Sequence, residues 1–306
     1  MAAAPGLALL PGAAGAALQP RWRWQGTALG AKAEVILILP DEAVAEKLIR
    51  LAVDEIERLE DIFSLYRPDS EITRLNRDGR LKAPSPDLVA LLSTARHVSE
   101  LTDGAFDVTV QPLWRLYADH FAKPDADPDG PSPAAIVAAR RLVDCSAIDV
   151  TSAAIRFARP GMAITLNGIA QGYITDRVAD LLSAHGIEHT LIDLGEIRAL
   201  GARPDGQPWQ VAVDGEMADE PIDLIDKAIA TSSPTGAVFD RSGRFHHLFD
   251  PATGQPAAAG RQISVIAERA AFADALSTAL AAMTPEDRLA WRSQTSEVLV
   301  KQTANR

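Results

Sequence analysis

The sequence contains few of the residues that mark several common classes of protein. Among its 306 residues there is one cysteine, Cys145, so an intramolecular disulfide is excluded. No Cys-x-x-Cys pair and no cluster of cysteine and histidine has the spacing of a zinc site. Cys145 is therefore expected to be a small buried side chain and not a nucleophile. Beyond the N-terminal segment, no apolar run approaches the ~20 residues of a membrane span.

Positive charge is also scarce. The chain has 30 Lys and Arg against 41 Asp and Glu, a net charge of −11. Such a surface repels nucleic acid and anionic membranes, so neither is an expected partner. A phosphate-ester ligand would then need positive potential from a helix N-terminus, a local Arg or Lys, or a metal ion. The remaining composition, 47% hydrophobic and 23% charged, is ordinary for a globular protein.

The N-terminal segment differs in composition from the rest of the chain. Residues 2–18 are rich in Ala, Gly and Leu and carry no charge, with small residues at 15–17. These features are typical of the apolar core and cleavage region of a signal peptide, although the basic segment that should precede them is missing. We interpret residues 1–20 as the remnant of an export signal, with a disordered alanine-rich leader as the alternative. Residues 21–306 are expected to form one domain.

The hydrophobic pattern predicts strands and helices in irregular alternation. Lys32–Leu39 is rich in β-formers and precedes Pro40, which predicts a strand. Asp41 then caps a long helix in which apolar residues recur at helical spacing as far as Phe63. Ser85 followed by proline predicts a second helix, ending near residue 101. Without a regular βαβ rhythm, the fold class is α/β mixed (α+β), not a Rossmann fold.

Further elements follow in the second half of the chain. A polar loop at 123–131 precedes a short helix at 132–143, and two short strands lead into residues 162–165. A helix is predicted from Ile169 to about Leu182. Beyond it, strands are predicted at Thr190–Asp193, Trp209–Val213, Ala228–Thr231, Phe245–Phe249, Ile263–Ala267 and, after two helices, Glu297–Lys301.

A glycine-rich turn, Asn167–Gly172, is predicted between a strand and a helix. Glycines there allow the backbone to approach a ligand closely, and the helix N-terminus favours negative charge. The turn has neither the G-x-G-x-x-G pattern nor a Walker A motif. A tight strand-to-helix turn without any ligand explains it about as well.

A second candidate lies on a distant helix. Asp274 and Thr278 are four residues apart and therefore share one helix face. A carboxylate and a hydroxyl at that spacing can offer two oxygens to a hard cation such as magnesium. The alternative is that Asp274 is a capping residue near the helix start.

Two further segments combine polar and aromatic residues. On an alternating strand, His246 and His247 face opposite ways, so one of them can point into a site as a general base or electrostatic donor. Asp103 and Asp107 bracket a Gly-Ala-Phe turn that suits recognition of a flat heterocycle. A structural histidine and a capped loop docked on the core are the respective alternatives.

Seven segments in this order resemble the motifs of the FAD:protein FMN transferase (ApbE) family. The family motifs are F-S-x-Y, T-D-G-A-F-D-x-T, D-x-N-G-I-A-K-G-Y-x-x-D, D-x-G-G, A-x-A-T-S, H-H-I-x-D-P-x-T-G and A-D-A-L-x-T. In this chain they correspond to Phe63–Tyr66, Thr102–Thr109, Thr165–Asp176, Asp193–Glu196, Ala228–Ser232, His246–Gly254 and Ala273–Thr278. The resemblance extends from about Gly26 to the last helix.

The resemblance implies a fold, a reaction and a set of ligands. The fold is a single α/β domain with a mixed β-sheet flanked by helices. The reaction joins FAD to a threonine hydroxyl of a target flavoprotein, giving phosphoester-linked FMN and AMP. A magnesium ion on Asp274, Thr278 and the main-chain carbonyl of Ala170 would bridge the diphosphate and stabilise the leaving AMP.

The resemblance also implies the residues that handle FAD and the acceptor. His247 is the candidate for deprotonating or orienting the threonine, with His246 as the alternative. The residues implied to contact FAD are Tyr66, Ala105, Phe106, Asp107, Asn167, Tyr173 and Leu248.

Two positions depart from the family pattern. Gln171 stands where the family usually has Lys, and Glu196 stands where the second Gly of D-x-G-G is usual. Together with Gln111, these positions resemble the NosX branch, which is associated with maturation of nitrous oxide reduction systems. That branch is exported, often by the twin-arginine route, which implies a periplasmic location and a membrane-anchored, NosR-like acceptor. Losing the Lys removes a cation near the diphosphate, so magnesium is expected to carry more of the charge stabilisation.

Two other functions fit the same motifs. One is a hydrolase that splits FAD into FMN and AMP with water as the nucleophile. The other is a flavin-binding maturation protein without catalysis. The presence of Asp274, Thr278 and His247 favours the transferase over the non-catalytic binder.

Overall fold

The strand predicted at Lys32–Leu39 lies inside the main sheet. In the computed structural model, which describes residues 7–9, 21–213, 221–257, 261–294 and 299–304, this segment forms a strand at Ala31–Ile38. The preceding residues Arg21–Ala28 form a strand that pairs with it along its full length. Because side chains alternate across a strand, Val35 and Leu37 point to one face of the sheet and Ile36 to the other, and all three are buried.

The described residues form eight α-helices and thirteen strands, numbered here in chain order. The helices are α1 (Glu42–Phe63), α2 (Glu71–Asp78), α3 (Pro86–Leu101), α4 (Gln111–Phe121), α5 (Pro133–Arg140), α6 (Ala170–Ala184), α7 (Ala270–Ala282) and α8 (Pro285–Gln294). The strands are β1 (Leu7–Leu9), β2 (Arg21–Ala28), β3 (Ala31–Ile38), β4 (Arg80–Lys82), β5 (Ile148–Val150), β6 (Ala154–Phe157), β7 (Thr190–Asp193), β8 (Ile197–Leu200), β9 (Trp209–Val213), β10 (Ile222–Leu224), β11 (Ala228–Ser232), β12 (Arg261–Ala267) and β13 (Leu299–Ala304).

The strands form three sheets, of which one is large. Seven strands pair in the order β13-β12-β11-β8-β7-β3-β2, and two three-stranded sheets have the orders β1-β9-β10 and β4-β6-β5. The predicted fold class, α/β mixed with a sheet and packed helices, is confirmed. One detail is corrected, because every strand pairing among the described residues is antiparallel, so the sheet is not mixed.

The large sheet is covered differently on its two faces. On one face, Val35 and Leu37 of β3 belong to a core shared with α1, α6 and α7. On the other face, Leu191 of β7 and Ile197 of β8 pack with Val211 of the three-stranded sheet. Helices on one face of an antiparallel sheet define the α+β class.

Helix starts agree with the predicted capping residues. The side chain of Asp41 accepts a hydrogen bond from the N–H of Val44 at 3.1 Å, and that of Ser85 accepts from the N–H of Leu88 at 3.2 Å. Such side chains satisfy N–H groups that have no partner inside the helix. Both helix predictions are confirmed, at Glu42–Phe63 and at 86–101.

Two predicted strands are wrong. The strand expected directly before the glycine-rich turn is absent, since residues 162–165 have no regular structure, and Phe245–Phe249 forms only isolated bridges, from Val238 to His246 and from Phe249 to Pro256. The second segment is rich in β-formers, but its partners are single residues of neighbouring turns, so no ladder extends beyond one pair. The predicted terminal strand begins at Leu299, and the preceding residues of its predicted range lie outside the described residues.

Of the N-terminal segment predicted to be a leader, residues 7–9 form β1, which pairs with β9. The other residues of 1–20 lie outside the described part. Within the described residues, no helix is both long enough and apolar enough to cross a membrane.

Candidate active site

The glycine-rich turn and the distant helix α7 meet. The N–H of Gly172, on the first turn of α6, donates to Asp274 Oδ2 at 3.1 Å. A Cβ added at Gly168 would lie 2.8 Å from Thr278 Oγ1, and one added at Gly172 would lie 2.3 Å from the carbonyl oxygen of Ala270. The missing side chains therefore allow the turn to lie directly against both polar residues of α7.

The start of α7 is held by a carboxylate from α6. Asp176 accepts from the N–H groups of Ala270 and Ala271, at 2.9 and 3.0 Å. It also pairs with Arg198 and, at 3.3 Å, with Arg269. Charge-assisted bonds to the free N–H groups at a helix start are strong, so Asp176 fixes the position from which α7 begins.

A group of hydroxyl side chains continues from Thr278 into strand β11. Thr278 Oγ1 lies 3.2 Å from Ser232 Oγ, which in turn lies 2.8 Å from Ser277 Oγ. Ser277 Oγ donates to the carbonyl oxygen of Asp274 at 3.0 Å. Oxygen atoms of several kinds thus gather where α7 packs on β11.

Asp274 is a buried carboxylate without a cationic partner. Its side chain is 3% exposed, and no Lys, Arg or His forms an ion pair with it among the described residues. Burial, and to a lesser degree the charge of Asp176, raises the pKa of Asp274 to about 7. A buried carboxylate is normally paired, protonated or bound to a metal, so a cation would relieve its desolvation.

The atoms around Asp274 fit a magnesium ion. The described residues contain no group of three or more His, Cys, Asp or Glu that could hold a metal, so the donors here are one carboxylate and neutral oxygens. The predicted ligand Ala170 is the first residue of α6 and is buried, and its N–H donates to Leu166 O at 2.8 Å. A carboxylate, a hydroxyl and a main-chain carbonyl form the all-oxygen set that hard cations prefer, often completed by water and substrate phosphate.

The two adjacent histidines have different surroundings. His246 is fully buried, and its Nε2 lies 3.0 Å from the carbonyl oxygen of Ala257. His247 is half-buried, and its Nδ1 lies 3.1 Å from the carbonyl oxygen of Ala237. Its Cε1 lies close to Gly236, because a Cβ added at Gly236 would be 3.2 Å from that atom. Although the predicted strand is absent, the two rings differ in access, and His247 is the more accessible.

Burial changes the protonation of His247. It lowers the pKa of His247 to about 4, so the ring is neutral at pH 7. Nδ1 lies 3.1 Å from the carbonyl oxygen of Ala237 and 3.2 Å from the nitrogen of its N–H group, which can donate to it. In the tautomer with the proton on Nδ1, the ring donates to that carbonyl oxygen and the lone pair of Nε2 is able to accept a proton. The ring stands against the turn that follows Ser232 and so belongs to the same region as the hydroxyl group of α7 and β11.

Two of the predicted FAD contacts line a cavity. Tyr66 and Asn167 lie on the wall of a cavity of about 420 Å³. Trp114 and Arg115 of α4, which sequence reasoning did not single out, lie on the same wall. Arg115 is exposed and has no acidic partner in the described part of the chain, so it provides positive charge at the cavity. The sequence contains one signal for Arg115, which is that it lies one helical turn after Gln111, a residue of the resemblance to the NosX branch.

Three further predicted contacts lie together at the turn before α4. Ala105 N–H donates to Thr102 O at 3.0 Å, and Phe106 is buried. Asp107 accepts from the N–H groups of Thr109 and Cys145, at 2.7 and 2.9 Å. Both carboxylate oxygens of Asp107 therefore bind the protein backbone, and none of the three predicted residues lines the 420 Å³ cavity.

The remaining two predicted contacts face the protein interior. The ring of Tyr173 packs edge-to-face on Phe63 with centroids 5.5 Å apart, and its hydroxyl donates to Asp87 Oδ1 at 2.8 Å. Leu248 is buried in a core cluster with residues of β11, β12 and α7. Neither residue lines the cavity of Tyr66 and Asn167.

Fold and site together define a class of protein: an α+β domain in which a buried carboxylate and several hydroxyl groups lie against a glycine-rich turn that suits a phosphate ester. The sequence model of the ApbE family matches residues 29–300. The chain therefore belongs to the ApbE family.

Relatives and solved structures agree with this assignment. A FAD:protein FMN transferase of Vibrio cholerae is 32% identical over 278 residues, covering 87% of this chain and 82% of the relative. One of Haemophilus influenzae is 32% identical over 247 residues, covering 74% and 71%. The flavin transferase ApbE of Vibrio cholerae superposes with a TM-score of 0.77 at 28% identity, covering 94% of this chain and 97% of that one. The flavinyl transferase ApbE of Pseudomonas stutzeri, in its apo form, gives 0.76 at 28% identity, covering 94% and 95%.

Proposed function

We propose that the protein is a magnesium-dependent FAD:protein FMN transferase, which attaches FMN through a phosphoester to a threonine of a target flavoprotein and releases AMP. The observation that carries the proposal is the contact of the glycine-rich turn with α7, in which Gly172 N–H donates to Asp274 Oδ2 at 3.1 Å. This contact brings close backbone approach, a helix N-terminus and an unpaired carboxylate to one place, which is what a metal–diphosphate complex requires.

The residues of the turn and of α7 would bind the diphosphate. The backbone of the turn and the N-terminus of α6 attract the phosphate oxygens, while Asp274, Thr278 and the carbonyl of Ala170 hold the cation. When bound, magnesium neutralises charge on the diphosphate and on the departing AMP. Tyr66 and Asn167 would orient FAD from the 420 Å³ cavity, with Arg115 adding positive charge.

His247 would act on the acceptor. Because its ring is neutral at pH 7, it can take the proton of a threonine hydroxyl as the oxygen attacks the FMN-side phosphorus. The bond that forms joins threonine oxygen to that phosphorus, and the bond that breaks is the one to the AMP oxygen. Holding the two reacting groups in line supplies a large part of the rate.

The finer assignments rest on the two departures from the family pattern. Gln171 in place of Lys supports a specialised NosX-like branch, and with it a NosR-like, membrane-anchored acceptor. The apolar, uncharged segment at residues 2–18 supports export to the periplasm, and the NosX-like resemblance implies the twin-arginine route.

The test is incubation of the protein with FAD, magnesium and a threonine-bearing fragment of the candidate flavoprotein. Transfer gives yellow fluorescence that stays with the acceptor on a denaturing gel and disappears when magnesium is removed. A threonine-to-alanine variant of the acceptor fragment is the matched control and should stay unlabelled.

The other functions give different results in the same experiment. Free FMN and AMP without labelled acceptor would identify a hydrolase. Tight FAD binding with neither product would identify a non-catalytic flavin carrier. Either result would contradict the proposal, provided that a known transferase labels the same acceptor fragment.

A further inference from the structure

Glu196 is a buried carboxylate at the end of the D-x-G-G segment. Its side chain is 4% exposed, and its Oε2 accepts from the N–H of Thr231 at 3.2 Å. Among the described residues no Lys, Arg or His forms an ion pair with it. A charge without a partner in the protein interior is costly, and a single backbone hydrogen bond does not offset that cost.

The carboxylate of Glu196 is connected to the oxygen group of α7. Thr231, its hydrogen-bond donor, is followed by Ser232, whose hydroxyl lies 3.2 Å from Thr278 Oγ1. Glu196 also lies close enough to Asp274 for their charges to interact. Burial, and next the charge of Asp274, raises the pKa of Glu196 well above its usual value. Two buried carboxylates without cationic partners thus lie in one region of the fold.

The second departure from the family pattern lies beside the first. Gly195 has a φ of 101°, which favours glycine, and a Cβ there would lie 2.5 Å from Gln171 Nε2. The amide of Gln171 therefore lies against the residue that precedes Glu196. Compared with the family pattern, the exchange of Lys for Gln removes a cation from this region, and the exchange of Gly for Glu adds a second buried carboxyl group.

We propose that Glu196 is a positioning residue for the metal site: it is a second carboxyl group in the region of Asp274, and its ionised form raises the affinity of the site for a divalent cation. The inference rests on the magnesium site of the proposed function. Its geometric basis is the burial of Glu196, its bond to Thr231, and the contact of Ser232 with Thr278.

The arrangement has a consequence for the order of binding. In the family pattern a Lys near the diphosphate contributes positive charge that does not depend on metal. In this chain a cation would bind the ionised forms of Glu196 and Asp274 in the absence of FAD, with release of the protons that their raised pKa values retain. The bound cation would then supply the charge that the Lys would have supplied. Divalent cations therefore bind first and with higher affinity than one carboxylate would give.

Glu196→Gln separates the charge of Glu196 from its hydrogen bond. A Gln carbonyl oxygen still accepts from Thr231 N–H, so the local structure is kept while the charge is lost. Mn²⁺ alone, without FAD, is titrated into the full-length wild type and into each variant, and bound metal is measured by electron paramagnetic resonance. The matched control is Glu268→Gln, which removes a charge from an 85% exposed side chain.

We expect the dissociation constant of Mn²⁺ to rise at least about tenfold in Glu196→Gln and to stay unchanged in Glu268→Gln. Glu196→Asp, which keeps the charge on a shorter side chain, should recover part of the lost affinity. An affinity equal to that of the wild type in Glu196→Gln would overturn the inference.

Asp274→Asn distinguishes this failure from failure of the proposed function. If Asp274→Asn abolishes Mn²⁺ binding and Glu196→Gln does not weaken it, the metal site stands and the role of Glu196 is wrong. If neither variant changes Mn²⁺ binding, or if the wild type binds none, both the site and the inference are wrong.

Discussion

The site depends on single residues whose surroundings set their charge. Asp274 is buried beside another carboxylate and has no cationic partner among the described residues, whereas Asp176, seven residues into α6, is surrounded by two arginines and two backbone N–H groups. The protein therefore supplies cationic and hydrogen-bonding partners for Asp176, but it supplies no cationic partner for Asp274 among the described residues. This difference separates a carboxylate with a structural role from one available to a ligand.

Asp274→Asn is predicted to abolish FMN transfer. The amide keeps the size of the side chain and can still accept from Gly172 N–H, but it lacks the charge that a divalent cation needs. We expect labelling of the acceptor to fall at least about a hundredfold. The control is Asp119→Asn on the exposed face of α4. Activity of Asp274→Asn near that of the wild type would rule out this carboxylate as a metal ligand.

His247 is predicted to make stability depend on pH. Burial lowers its pKa in the folded protein to about 4 from the usual 6.5. Between these two values the unfolded chain binds more protons, so the free energy of unfolding falls as pH falls through this window, by on the order of 3 kcal/mol.

Chemical denaturation of the wild type and of His247→Gln between pH 7 and pH 4 measures this effect. The variant should lose less stability over the same range, because the neighbouring groups, including His246, titrate in both proteins. Parallel curves for the two proteins would show that His247 is not desolvated.

At the scale of elements, the site lies where the first turn of α6 packs against α7. Helix α7 consists mainly of alanine, and almost all of its residues are buried. Small side chains let it approach β11, β12 and α6 together. The glycine at position 172 completes the contact, because Ala270 O occupies the space of a Cβ.

Gly172→Ala is predicted to destabilise the fold and to remove FAD-dependent activity. The new methyl group would lie 2.3 Å from Ala270 O, so the two helices must separate or shift. Such overpacking costs roughly 1–3 kcal/mol, measured by urea denaturation. Ser183→Ala, at an exposed position of the same helix, is the control and should be near neutral. Equal stability of Gly172→Ala and the wild type would contradict the close crossing.

Elements with strong local signals were predictable, and elements fixed by distant contacts were not. Asp41 and Ser85 mark the starts of α1 and α3 because capping is a local interaction. Strand β8 was missed, since its four residues become a strand only by pairing with β7 and β11. Phe245–Phe249 was predicted as a strand, but its neighbours are turns that offer one bridge each.

The same distinction applies to the site. The resemblance of ordered motifs predicted that the glycine-rich turn and α7 belong together, and the structure brings them into contact. It did not predict that Tyr173 bonds to Asp87, or that Arg115 faces the cavity of Tyr66. Those outcomes depend on which side of a helix meets which neighbour, and such information is not local in the sequence.

At the scale of the whole molecule, helices cover one face of the seven-stranded sheet and a small sheet covers the other. The molecule carries a net charge of −11, so a phosphate ester approaches against the overall field. Local groups must overcome that repulsion, so the proposed cation would be needed for binding as well as for chemistry.

Magnesium and FAD together are therefore predicted to stabilise the folded protein more than either alone. A ligand at a hundred times its dissociation constant adds about 2.7 kcal/mol. Thermal unfolding is measured with FAD, with magnesium, with both, and with both plus a chelator. The midpoint temperature should be highest with both ligands. After chelation it should return to the midpoint measured with FAD alone. A midpoint with FAD that is independent of magnesium would contradict the coupling.

Helix α7 is buried along almost its whole length, with only Phe272 and Thr278 half-buried, and this has a consequence for motion. Amide protons in an element of this kind exchange with solvent only when the whole domain opens, so the backbone of α7 should be among the slowest to exchange. The oxygens of Asp274 and Thr278 are then attached to the most persistent part of the molecule. We therefore expect FAD to enter from the side of the exposed Tyr66, while the side of the site formed by Asp274 and Thr278 stays in place.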